Sequence, residues 1–471
     1  APRHLPLATP PPGYVAYTTQ SGDTLAALAA RCAASPGEIL CVSPEAGPRC
    51  PTPNLQGSGD VQPNTLPLQT LFPAGQLLFI PYQGGRDYSE SEPSGRLLPD
   101  SEVIFTAPAA NFDVAAYLEE AGGYLHTHRQ YLMLNGWNTG ADIIDMIATE
   151  NAINPRLLLG LLAYQCKCVL GNPGTLEEIE PFMGTTSTKY LRADLYGQLD
   201  WSVHQLSLGY YGWRDGGLTE FVRKDGTIVR PAPDLNAGTA ALQYFFAQLY
   251  GEESWRQALD PQNGFPGLYA KMFGDPWERE TVIFPPDAAQ PAFILPFEPG
   301  TTWSYTGGPH PAFEGNGPLA SLDFAPASAE PGCLASDAWV LAVAGGVVVR
   351  SEYGLITLDT DGDGLEQTGW NVMYLHIEER DRVQVGDVLQ TGDLIGHPSC
   401  DGGVANGTHV HIARKYNGEW IPADGPLAFN LGGWAAHKGE KPYLGTLTRN
   451  GETLTACTCS WEAGWIVMED E

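Results

Sequence analysis

What this 471-residue sequence lacks narrows its function before any motif is considered. No run approaches the ~18 consecutive apolar residues that a membrane-spanning helix needs, so no membrane insertion is expected. The first residues, APRHLPLATPPPG, lack a basic stretch followed by an apolar core, and a start at Ala1 fits a chain already trimmed of a secretion signal. Basic residues are few. Against 55 Asp and Glu stand 25 Lys and Arg, a formal charge of −30, which argues against nucleic acid and anionic membrane as partners. There is no CxxC pair to frame a structural zinc–cysteine site, and no HExxH to place two ligands and a base on one helix.

Nine cysteines are present, at 32, 41, 50, 166, 168, 333, 400, 457 and 459. Disulfides and a secreted, extracellular protein are the expectation. An odd count leaves at least one thiol free or paired between chains. Each of the two CxC pairs is expected not to bridge internally, being too close in sequence.

The length calls for two to four domains, and composition breaks suggest where they meet. The polar stretch GGRDYSESEPSGRLLPDSE and the proline-dense FPPDAAQPAFILPFEPG bound three regions. The expected layout is 14–83 a small α/β unit, 84–110 a linker, 111–280 a helical unit, and 281–471 a β-rich unit with a C-terminal extension. A monomer is expected.

In the first region, YVAYTTQSGDTLAALAARC reads as a strand, a turn at Gly22-Asp23, and a helix capped by Thr24 or Asp23 with Leu25, Leu28 and Ala29 at helical spacing. LFPAGQLLFIPY supplies a closing strand. These ends resemble a LysM module, a βααβ fold, and the resemblance implies binding to the N-acetylglucosamine chains of peptidoglycan. Cys41 to Leu68 departs from the family, replacing its second helix with a longer segment.

The middle region is helical by periodicity. Ile143, Ile144 and Ile147, then Leu157, Leu158, Leu161 and Leu162, recur at helical spacing either side of an INP break. It resembles the all-α lysozyme-like fold of lytic transglycosylases, whose matching helix carries a catalytic glutamate. Here that position is Gln165, and an amide cannot protonate a glycosidic oxygen, so a degenerate domain is expected. Glu150 is expected at a helix end, the Glu177, Glu178 and Glu180 group on a solvated loop, and Tyr210, Tyr211 and Trp213 in the core.

The third region carries the chemistry. In THVHIA, His409 and His411 alternate along a strand and project from one face, about 7 Å apart, so both can reach one site. His126 and His128 have the same spacing in a helical segment, where they diverge. Upstream lie His310 and Asp323 in TGGPHPAFEGNGPLASLDF, then His376 in a strand. His310, Asp323, His376 and the HxH pair, interleaved with AVAGGVVV and VQVGDVLQTGDLIG, resemble the antiparallel, β-rich lysostaphin/LytM family of zinc peptidoglycan endopeptidases. The wide gap between His310 and Asp323, with GGPH, SLDF and KYNGEW, is similar to the staphylolysin/β-lytic branch.

That resemblance implies Zn²⁺ bound by His310, Asp323 and His411, with His376 and His409 beside the metal's water and Tyr443 stabilising an oxyanion. It also implies cleavage of peptide cross-bridges, those containing glycine in the staphylolysin branch. Cys333 and Cys400 flank the candidate site and are the first expected disulfide, followed by a pair among Cys32, Cys41 and Cys50. Asp359, Asp361, Asp363 and Gly364 match positions one, three, five and six of a calcium loop, but position twelve is Trp370, so Ca²⁺ competes with a plain hairpin turn.

Overall fold

The computed structural model describes residues 10–41, 66–81, 95–171, 179, 181–185, 193–313, 315–327, 332–457 and 464–469. They form two compact units rather than three. One comprises Ala1–Val103, Asp113–Ile147 and Pro155–Ala288; the other comprises Ile104–Phe112, Ala148–Asn154 and Ala289–Glu471.

In the first unit, strands β1 (Tyr14–Thr18), β2 (Leu40–Cys41) and β3 (Leu77–Pro81) form a sheet in the order β1-β3-β2, packed on helix α1 (Leu25–Cys32). Thr24 Oγ1 accepts from Ala27 N and caps α1. Asp23 is instead buried, accepting from Tyr17 Oη at 2.7 Å and pairing with Arg31. A 3₁₀ turn at Pro36–Glu38 follows α1, and the longer segment seen in the sequence lies mostly outside the described residues.

This small sheet does not stand apart from the helical region. A Cβ on Gly216 would lie 2.8 Å from Ala27 Cα, an approach only glycine permits, and Phe284 N donates to Ser21 Oγ at 2.8 Å. The composition break between them marks a change of architecture, not of compact unit.

The stretch 84–110 is likewise not simply a linker. From residue 95 on, Leu97 and Leu98 are buried, and helix α2 (Asp100–Val103) buries Glu102 completely. Arg279 and Tyr269 Oη pair with that carboxylate, a network that polar composition alone disguised.

Helices α3 (Val114–Ala121), α4 (Tyr124–Thr127), α5 (Gly140–Asn151), α6 (Pro155–Gln165), α7 (Leu195–Asp215), α8 (Ala237–Leu249), α9 (Glu252–Ala258) and α10 (Phe265–Phe273) follow, α5 and α6 where the leucine and isoleucine spacing put them. The region is not all-α. Hairpins β4–β5 (Arg129–Leu132, Gly136–Thr139) and β6–β7 (Phe221–Val222, Ile228–Val229) interrupt it. Tyr210, Tyr211 and Trp213 are core residues, and Glu150 lies in the last turn of α5. Glu177, Glu178 and Glu180 lie outside the described residues.

Cys166 and Cys168 are joined after all. Lys167 between them takes φ +54°, which turns the chain back and sets their Cα atoms 5.1 Å apart. Cys333 is joined to Cys400. Cys41 and Cys457 each take part in a separate disulfide, Cys32 is a buried free thiol, and Cys50 and Cys459 lie outside the described residues.

The second unit is built on an antiparallel sheet. Its strands include β8 (Thr302–Phe313), β9 (Asn316–Pro326), β11 (Gly346–Glu352, after a short β10 at Val340–Leu341), β12 (Gly354–Asp359), β13 (Trp370–Ile377), β14 (Val388–Leu389) and β16 (Val410–Tyr416, after β15 at Leu394–Gly396). Strand order is β14-β11-β12-β13-β16-β9-β8, closed at the β8 edge by Trp465–Val467. One face holds Trp303, Tyr305, Leu322, Phe324, Ile356, Leu358, Val372, Tyr374, Val410 and Ile412 in a single apolar cluster. Period-two alternation puts these residues on that face, and every residue of β13 is nevertheless buried, so both faces of the central strands are covered. The sheet centre is therefore shielded from bulk solvent on both faces.

Candidate metal and catalytic site

Four adjacent strands of that centre carry the polar residues. His376 ends β13, His411 lies on β16, Asp323 on β9 and His310 on β8. Register places His411 opposite Leu375 on one side and opposite Asp323 on the other. His310 and Asp323 are far apart in sequence because they lie on the two arms of one hairpin. Repeated bulges in β8 offset the pairing so that Gly307, not His310, is opposite Asp323. A Cβ at Gly307 would lie 2.3 Å from the Asp323 carboxylate, so glycine there makes room for it.

Hydrogen bonds fix the state of each imidazole. A carbonyl oxygen can only accept, so a ring nitrogen facing one carries the proton. His310 Nδ1 faces Gly308 O at 2.8 Å, and His411 Nε2 faces Ala312 O at 3.0 Å. Their other nitrogens then present lone pairs. His310 Nε2, His411 Nδ1 and Asp323 Oδ1 meet at separations of 3.0, 3.2 and 3.3 Å.

Three acceptors so close repel one another unless a proton or a cation lies among them. A tetrahedral ion bound at about 2.0–2.1 Å requires ligand atoms roughly 3.3 Å apart, which is the observed spacing. Asp323 Oδ1 is also buried without an aligned hydrogen-bond donor. The residues present therefore fit a divalent metal.

Protonation tells the same story in the absence of a cation. Burial would raise the Asp323 carboxyl, but His310 and His409 outweigh it and hold the carboxyl well below its ordinary range. Burial would lower His310, but Asp323 outweighs it and raises the imidazole. His411 is lowered, chiefly by burial.

Two further histidines stand beside this triplet. His376 and His409 have ring centroids 4.4 Å apart, and His409 Nε2 lies 3.8 Å from Asp323 Oδ1. His376 Nδ1 faces Asp401 O at 2.9 Å and His409 Nδ1 faces Gly407 O at 2.7 Å, so both Nε2 atoms carry lone pairs. Burial, then His409 and His411, push His376 down to about 3. Its backbone φ is +66°, uncommon for a residue with a side chain. Tyr443 is half-exposed, has φ +70°, and stacks on His310 with centroids 4.2 Å apart. All six residues singled out in the sequence are thus gathered in one place.

What the sequence did not reveal are the acceptors Gly308 O, Ala312 O, Asp401 O and Gly407 O. Backbone atoms leave no residue-type signature; the glycines around 402–407 were the only hint. His397 is a core residue, its Nδ1 donating to Ala338 O and its ring against Trp339.

Asp359, Asp361 and Asp363 also gather, with carboxylate oxygens within 4.8 Å. Their oxygens already accept from the loop itself: Asp359 from Asp361 N and Gly364 N, Asp363 from Leu365 N and Thr368 Oγ1. Trp370, at position twelve of the calcium pattern, starts β13 and packs on Tyr416.

Residues 96–287 match the family described as the LasA N-terminal domain, which spans the middle region. The chain is similar to protease LasA of Pseudomonas aeruginosa, 25% identical over 367 residues, covering 71% of this chain and 78% of that protein. Among solved structures, the M23 metalloprotease pseudoalterin from the deep sea is 26% identical, with 36% of this chain and 96% of that one covered and a TM-score of 0.31. Lysostaphin, an antimicrobial peptidase from Staphylococcus simulans, is 19% identical, with 36% and 82% covered and a TM-score of 0.20.

Proposed function

We propose that this protein is a secreted zinc metalloendopeptidase that hydrolyses peptide bonds in the cross-bridges of bacterial peptidoglycan, glycine-containing ones among them. The observation that carries the reading is the convergence of three lone-pair acceptors at tetrahedral spacing, with two more unprotonated imidazole nitrogens beside them. Homology to protease LasA supports the reaction class.

His310 Nε2, Asp323 Oδ1 and His411 Nδ1 would hold the zinc. Zinc in such a site supplies Lewis acidity toward a carbonyl oxygen and lowers the pKa of water toward 7. One of His376 Nε2 and His409 Nε2, both acceptors by virtue of the protons on their Nδ1 atoms, would take the proton of the attacking water and return it to the departing amine. No carboxylate base is needed. Tyr443, which stacks on His310, would donate its phenol hydrogen to the oxyanion in this reading.

The β1-β3-β2 sheet with α1 is read as a LysM-like element that contacts N-acetylglucosamine chains, so weak sugar binding raises the local concentration of the cutting site. The middle region has no catalytic part in this reading. Gln165 Oε1 accepts from Tyr250 Oη at 2.6 Å, so its amide holds a tyrosine rather than offering an acid. The disulfides fit an oxidising compartment.

Mass spectrometry of purified peptidoglycan, with and without glycine cross-bridges, tests the proposal. New peptide termini that vanish with a chelator and return with zinc are expected. Anhydro-sugar ends, or no new termini from zinc-loaded protein, would overturn it.

A further inference from the structure

The candidate bases His376 and His409 belong to different parts of the chain, yet both donate Nδ1–H to one loop, at Asp401 O and Gly407 O. That loop, DGGVANG, contains three glycines and a Val404 that is 94% exposed, so by itself it has wide conformational freedom. One short segment holds both its ends. At the start, Cys400 is bonded to Cys333; at the finish, Thr408 N donates to Gly332 O at 3.1 Å and Thr408 Oγ1 to Leu334 O at 2.6 Å.

The start of the loop is braced further. Ser399 N and Ser399 Oγ both donate to His376 O, at 2.7 and 3.1 Å, and His409 N donates to Ser399 O at 3.2 Å. Asp401 packs backbone to backbone on Gly354, where a Cβ would lie 2.3 Å from Asp401 C. These contacts hold His376 at its left-handed φ of +66°, a conformation that persists only when its surroundings enforce it.

We propose that the Gly332–Leu334 segment, through the Cys333–Cys400 disulfide and Thr408, is the positioning device that sets the tautomer and orientation of His376 and His409. Cutting the disulfide loosens the Asp401 end of the loop, leaving it to the Ser399 and Gly354 contacts alone. His376 then loses its fixed Nδ1–H acceptor, and the two Nε2 lone pairs cease to be held toward the site. His310, Asp323 and His411 are untouched, because their acceptors Gly308 O and Ala312 O lie on β8. Cys333 is solvent-exposed, so a reductant can reach the bond in the folded protein.

The kinetic part of this inference rests on the peptidase reading; the tautomer part does not. The test compares wild type with C333S/C400S in the full chain, and with wild type reduced by a phosphine, which does not remove zinc as thiols do, then reoxidised. Expected are a kcat lower by about 10–100-fold with KM and zinc stoichiometry unchanged, recovery on reoxidation, and loss of the Nδ1–H signature of His376 and His409 in ¹⁵N spectra of the imidazoles. Should C333S/C400S fail to fold, T408V, which removes the Thr408 Oγ1 bonds to Leu334 O and Gly332 O and keeps the disulfide, is followed by the same readouts. Unchanged kcat, or zinc, melting temperature and kcat falling together, would overturn the inference. If zinc-loaded wild type cuts nothing, the peptidase reading fails, and the imidazole spectra alone decide: tautomers that survive reduction refute the positioning role, and tautomers lost on reduction support it.

Discussion

Glu366 is the most exposed test of the electrostatics that hold the second unit together. It lies on the Asp-rich loop between β12 and β13, yet its carboxylate is buried between Arg350 Nε at 2.8 Å and Lys415 Nζ at 2.9 Å. Lys415 is on β16, four residues beyond His411, and also donates to Thr149 O at 3.2 Å. Burial opposes ionisation of Glu366, but Arg350 and Lys415 outweigh it and bring its pKa down from 4.5 to about 2. At ~1.4 kcal/mol per unit, that shift is about 3 kcal/mol in favour of the charged, folded form.

Glu366→Gln removes this and leaves two buried cations facing each other. Breaking a buried pair from one side costs about 3–5 kcal/mol. For a unit of roughly 200 residues, where ~1 kcal/mol moves the midpoint by about 2–4 °C, melting of the second unit should fall by about 6–20 °C at pH 7. Calorimetry on the full chain measures it. Because the folded pKa is depressed, the wild-type advantage is complete above pH 4.5 and is lost as pH falls through about 2. E366Q should therefore converge on wild type in acid, and E366Q/K415M should recover much of the loss at pH 7. A shift below ~1 kcal/mol at pH 7, or one that persists unchanged at low pH, would refute the reasoning.

Asp323→Ala should abolish stoichiometric zinc binding, measured by elemental analysis after dialysis, while H376A should retain zinc and lose about 10²–10⁴-fold in kcat. Equal zinc loss in both would place His376 among the ligands. Asp361, raised to about 6 by burial and by Asp359, favours its neutral form in the fold, so its stabilising contribution is present below about pH 4 and lost as pH rises through about 6. D361N should thus gain stability over wild type as pH goes from 4 to 7 in thermal melts. Calcium should leave the melting temperature of the zinc-loaded protein unchanged, since the Asp359 and Asp363 oxygens are already met by the loop; a rise that D361N abolishes would make the loop a cation site.

By itself the sequence determined the elements whose signal is local. Alternation along THVHIA put His409 and His411 on one side, leucine and isoleucine spacing marked α5 and α6, and the resemblance to the lysostaphin/LytM family named the six residues of the candidate site. Tertiary structure alone decided how those residues are arranged. A hairpin with offset register closed the gap between His310 and Asp323, and backbone carbonyls from β8 and from the 401–407 loop chose which nitrogen of each imidazole carries a proton. A left-handed Lys167 let Cys166 meet Cys168 against the expectation from spacing, and one compact unit took in both the small sheet and the helices. These outcomes depend on register, on backbone atoms and on close approach between distant segments, none of which is written in residue type or local period.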